Sequence, residues 1–146
     1  MKRHSRISNI FAGLLLIFLT QFTLVAQANS DIGGEWRGIF NYNNSSYANR
    51  SGLFTLYLNK QDTKISGIVV EPWTFFCPKS SFLIANISGT YNAATKEVSF
   101  TKTYDYDGHK VEYSGTLDTS GTSASGKWVI GKSNKNSTGT WTILKE

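Results

Sequence analysis

With 146 residues and a formal net charge of +5, the chain has room for one domain with a modest core and none for a second. Its single cysteine, Cys77, rules out an internal disulfide, so the fold must stand on its packing. The thiol itself is expected to be partly buried and inert.

Lys2, Arg3 and Arg6 precede an apolar stretch over residues 10–25, and Ala26-Gln27-Ala28 follow it. That is the order of a secretory signal: basic region, apolar region, small-residue cleavage site. Thr20, Gln21 and Thr23 dilute the stretch relative to an anchor helix. Cleavage is therefore expected after Ala28, giving a periplasmic or secreted domain over residues 29–146. It would keep no stable membrane anchor, since no cysteine near the cut could carry a lipid. The three basic residues leave with the signal while all 10 acidic residues stay, which lowers the net charge from +5 to +2. The remaining Lys and Arg are scattered from Arg37 to Lys145, so no nucleic acid and no anionic membrane is expected as a partner.

Beyond Ala28, short runs rich in Val, Ile, Thr, Tyr, Phe and Trp recur between clusters of Gly, Asn, Asp and Ser. Eight strands are predicted, over residues 35–42, 52–59, 64–71, 82–91, 97–104, 110–117, 124–130 and 139–144. Most connections are short and built from turn residues, which makes consecutive strands antiparallel neighbours. Phe54, Leu56 and Leu58 share one face of the second run, and Val98, Phe100, Lys102 and Tyr104 one face of the fifth. Val111, Tyr113, Gly115 and Leu117 do so in the sixth. A hydroxyl residue precedes glycine at Ser66-Gly67, Ser88-Gly89, Ser114-Gly115 and Thr138-Gly139. Glycine inside a strand marks a bend or a close backbone approach, as at the coiling corners of a small barrel. An open meander would expose two edges, and pairing the first strand with the last removes both. The predicted fold class is all-β: a closed eight-stranded antiparallel up-and-down barrel.

Gly34-Glu35-Trp36 at the start of the first strand has the G-x-W form of lipocalins and avidins, the barrels grouped as calycins, and the chain resembles them. Gly126-Lys127-Trp128 and Gly139-Thr140-Trp141 repeat the form. The resemblance implies an eight-stranded barrel with a ligand lumen, closed at one end by Trp36. Avidins place a biotin-binding Asn two residues after the motif Trp and a Ser a little further on. Gly38 and Phe40 stand in that region here, so biotin is not implied.

One connection is too long for a simple hairpin, the segment 72–81 between the third and fourth strands. It carries Trp73, Phe75 and Phe76 beside Pro72 and Pro78. Aromatics in such a loop act as a plug, a ligand lid or a contact surface. The faces assigned inward carry Trp36, Phe40 and Tyr42, with Tyr104, Tyr113 and Trp128 on other strands. Aromatic packing fills a small barrel, and several Tyr hydroxyls in a lumen can orient a ligand with a few polar atoms. Trp73, Phe75, Phe76, Tyr42, Tyr104, Tyr113 and Trp128 are therefore the candidate ligand-binding residues. Asp105-Tyr106-Asp107-Gly108-His109 lacks the third ligand and the distal Glu of a calcium loop and reads as a turn. His109 is the one histidine after the signal, and Glu71, Glu97, Glu112 and Asp118 are dispersed. No metal site, cofactor or catalytic set is expected. The leading reading is an exported binding protein for a small, partly apolar ligand. The alternative is a peptidase inhibitor-like protein that binds a protein partner. A barrel-type cyclase stands third, and two ionisable side chains meeting inside the lumen would favour it.

Overall fold

A computed structural model describes residues 31–43, 50–72, 82–131 and 137–146, and they form eight strands. These are β1 (Gly34–Tyr42), β2 (Ser51–Gln61), β3 (Lys64–Pro72), β4 (Phe82–Tyr91), β5 (Glu97–Tyr104), β6 (Lys110–Leu117), β7 (Ser123–Ile130) and β8 (Ser137–Lys145). Each pairs antiparallel with the next, and β1 pairs with β8 from Trp36↔Lys145 to Tyr42↔Gly139. The predicted closed up-and-down barrel is the observed fold. The predicted runs fall on the eight strands, with the largest differences where β2 continues to Gln61 and β8 begins at Ser137. Pro72, assigned to the long loop, ends β3 and pairs with Phe82, a strand-end position that a residue without an N–H tolerates. The expected signal peptide, Cys77 and the rest of that loop lie outside the described residues.

Period-two alternation sends Trp36, Phe54, Leu56, Leu58, Ile65, Val69, Ile87, Val98, Phe100, Trp141 and Ile143 into the lumen, all buried. Phe100 stacks on Tyr113 at 4.7 Å, and Trp141 meets both rings edge-on. The Trp141 indole reaches that position because Gly115 and Gly126 pair across β6 and β7. A Cβ on Gly115 would lie 2.6 Å from the Trp141 ring. In the space so left, Trp141 Nε1 donates to the carbonyls of Ser114 and Lys127.

The four hydroxyl–glycine pairs are points of close backbone approach, as their spacing suggested. A Cβ would lie 1.9 Å from the Tyr57 carbonyl oxygen at Gly67 and 2.1 Å from that of Ser99 at Gly89. At Gly115 and Gly139 the corresponding distances are 2.2 Å to Ser125 and 1.8 Å to Asn41. Bare Cα atoms at these sites let neighbouring strands of a strongly coiled sheet lie close together.

The two ends of the barrel differ. At one, tight turns join β2 to β3, β4 to β5 and β6 to β7. In the last of these, hydrogen bonds from Ser120, Ser123, Thr122 and Gly121 hold the Asp118 carboxyl down to about 2. Trp36 closes this end: it is fully buried, and its Nε1 donates to the carbonyl of Ile32, itself fully buried. Lys145 Nζ donates to the Asp31 carbonyl and lies 5.4 Å above the Trp36 ring, tying the segment before β1 to the end of β8. The other end receives the connections β1–β2, β3–β4, β5–β6 and β7–β8, and we call it the mouth.

Gly67→Ala is expected to cost about 3 kcal/mol, because backbone cannot move out of the way of a new methyl group as a side-chain tip can. Gly33→Ala, whose Cβ would make only ordinary contact with Asp31, is expected to stay within about 0.5 kcal/mol. Urea unfolding of both variants measures the contrast.

Candidate functional site

Alternation along β3 that buries Ile65 and Val69 also turns Glu71 inward. Alternation along β5 that buries Val98 and Phe100 does the same to Lys102. The two strands flank β4, whose inward residue between the pairing partners of Glu71 (Leu83) and Lys102 (Ile87) is Ala85. Its single methyl leaves room above it, and there the two long side chains meet. Lys102 Nζ donates to Glu71 Oε1, with both side chains almost completely removed from solvent, 3% and 6% exposed. Tyr104 completes a ring of hydrogen bonds, accepting from Lys102 Nζ at 2.8 Å and donating to Glu71 Oε2 at 2.7 Å.

Aromatic rings surround this triad. The ammonium of Lys102 lies 4.5 Å from the centroid of Tyr104, 5.5 Å from Tyr113 and 5.7 Å from Phe40. Tyr42 meets Trp128 edge-on at 4.8 Å, and Phe40 packs against both. Trp128 is fixed by donation from Nε1 to the Thr140 carbonyl. Together with Val111 and Ile130 these groups enclose a cavity of about 20 Å³ at the mouth. Phe40, Tyr42, Tyr104 and Ile130 are only half-buried, so the cavity looks outward between them.

Burial is the dominant electrostatic fact. It pushes the Lys102 ammonium below its ordinary value, against the charge of Glu71 and its hydrogen bond, which pull it up. It also pushes the phenols of Tyr104 and Tyr113 well up, with the Glu71 carboxylate adding to the shift. A buried ion pair rarely stabilises a fold relative to apolar residues of the same volume, because each ion loses several kcal/mol of hydration. The pair is therefore weak evidence for stability, and packing alone does not account for it.

Of the residues singled out from the sequence, Tyr42, Tyr104, Tyr113 and Trp128 all line this cavity. Trp73, Phe75 and Phe76 lie outside the described residues. Sequence reasoning missed Glu71 and the partnership of Lys102. The signal was present: each is a charged residue at an inward position of an otherwise apolar alternation. Larger depressions, one of about 830 Å³, lie on the outer wall over β4 to β7, open and lined mainly by Ser, Thr and Gly. Among the described residues no three His, Cys, Asp or Glu side chains converge to hold a metal. No protein family matches the chain, and no curated protein matches it.

Glu71→Ala, which strands the Lys102 ammonium, is expected to cost about 3–5 kcal/mol, whereas the double replacement Glu71→Leu with Lys102→Met should recover most of that loss. Chemical denaturation of the two variants checks it.

A second expectation concerns alkaline pH. Tyr104 and Tyr113 ionise above 10.0 when folded and near it when unfolded. Their contribution to stability is complete below that pH and is lost as the pH rises beyond it. Lys102 acts oppositely: its lowered folded value penalises the fold at neutral pH, and the penalty fades as the pH approaches 10.5. At about pH 11 the native protein should therefore show about two fewer phenolates by ultraviolet absorbance than the unfolded chain.

Proposed function

We propose that this protein is an exported, calycin-like barrel that binds a small, partly apolar molecule at the mouth of its lumen. One observation carries the reading: a buried, hydrogen-bonded polar group lies directly beneath a bowl of half-buried aromatic rings. Binding sites for small molecules combine apolar walls with a few fixed polar groups in this way. The Trp36 end is packed solid, so a ligand enters from the mouth and lays its apolar body against Phe40, Tyr42, Ile130 and Trp128. Its polar end points down to Lys102, Tyr104 and Tyr113.

Two other readings have support of their own. Exposed apolar side chains on the outer wall, Leu53 (65% exposed) opposite Ile39 on β1 and β2, with Ile68, Ile84 and Phe82 on β3 and β4, favour an inhibitor-like protein that grips a partner from outside. The meeting of Glu71 with Lys102 favours a barrel-type cyclase. Against the latter, each charge is engaged by the other, and neither is free to act as acid or base without first breaking the pair.

Titration with the neutral fluorophore N-phenyl-1-naphthylamine, followed by quenching of tryptophan emission, tests the proposal. Saturable binding is expected, weakened about tenfold by Tyr42→Ala through loss of ring contact. Absence of saturable binding, or binding indifferent to Tyr42→Ala and Phe40→Ala alike, would remove it.

A further inference from the structure

Among the described residues, two donors bordering the mouth cavity have no acceptor. Lys102 carries three N–H groups, and two of them are used, on Glu71 and on the Tyr104 hydroxyl. The third faces aromatic rings, and among the described residues no oxygen or nitrogen receives it. Tyr113 is the second case. Its ring is 5% exposed and held by Phe100 and Trp141, while its hydroxyl makes no hydrogen bond to any described residue. Buried donors are nearly always satisfied, and leaving one unsatisfied costs on the order of 1–3 kcal/mol. Both border the same cavity of about 20 Å³, which has room for one water-sized group and no more.

Charge narrows what that group is. Glu71 already balances Lys102, so the site is neutral as it stands. A ligand carboxylate would leave one negative charge uncompensated in a desolvated setting, and a ligand ammonium one positive charge. A neutral oxygen acceptor satisfies both donors and disturbs neither ion.

We infer that the mouth site recognises an uncharged carbonyl compound, a flat or apolar ketone or aldehyde whose oxygen seats between Lys102 and Tyr113 while its body rests on Phe40 and Tyr42. This rests on the ligand-binding reading above and adds to it the chemical class of the ligand. It also separates the site from one built for fatty acids or other carboxylates.

Three naphthalenes of matched shape make the test: 2-acetonaphthone with a neutral carbonyl, 2-naphthoate with a carboxylate, and 2-ethylnaphthalene with no acceptor. Calorimetry on the purified protein should show the ketone binding at least about tenfold tighter than either of the others, the worth of one or two buried hydrogen bonds. Tyr113→Phe keeps the ring and removes only the hydroxyl. It should weaken the ketone about fivefold or more and leave 2-ethylnaphthalene unchanged. If 2-naphthoate binds tightest, the site reads anions and the inference is overturned. If 2-ethylnaphthalene equals the ketone, or Tyr113→Phe leaves the ketone's affinity intact, the two donors do not read an oxygen, and ligand binding itself still stands. If none of the three binds saturably, the ligand-binding reading fails and this inference with it.

Discussion

Pairing of β1 with β8 is the constraint on which everything else in this molecule depends. It removes the two edges that a meander would expose and gives every strand a partner on both sides. It also fixes the circumference, and with eight strands the interior is only about as wide as the side chains that fill it. Each inward residue then faces several others across a narrow space. Strong coiling of so small a barrel brings neighbouring strands close where glycine recurs, and Trp141 can donate to the backbones of two strands at once.

The narrow lumen is divided along its length. Toward the closed end Trp36, Ile32, Leu56 and Ile143 leave almost no exposed surface, and the Trp36 indole nitrogen is satisfied by a carbonyl. Toward the mouth the same alternation places Glu71 and Lys102 inside, where aromatic faces and the Tyr104 hydroxyl replace part of the lost hydration. Apolar packing in the lower half supplies stability. The upper half instead keeps two paired ions from water. The division follows from which residues fall on inward positions near each strand's end, not from any change in the fold.

Much of this was legible in the sequence. Eight runs of β-forming residues separated by turn clusters specify the strand count, and short connections specify antiparallel order. Edge avoidance then leaves closure as the remaining step. The lumen aromatics Tyr42, Tyr104, Tyr113 and Trp128 follow from alternation alone. The Glu71–Lys102 partnership does not, because β3 and β5 are not neighbours. Their side chains meet across β4 only because Ala85 is small and because barrel stagger brings them to the same depth. Lys102 was placed on the inward face of its strand, yet a lone lysine there carries no sign of its partner until the curvature of the sheet is known.

The tie between Lys145 and Asp31 has a practical side. It draws the segment before β1 and the end of β8 to the closed end, and Glu146 donates its N–H to the Glu35 carbonyl at the same place. A tag, fluorophore or carrier joined there would stand a full barrel length from the mouth. Molecules immobilised through that end on a sensor surface would all present the aromatic bowl outward.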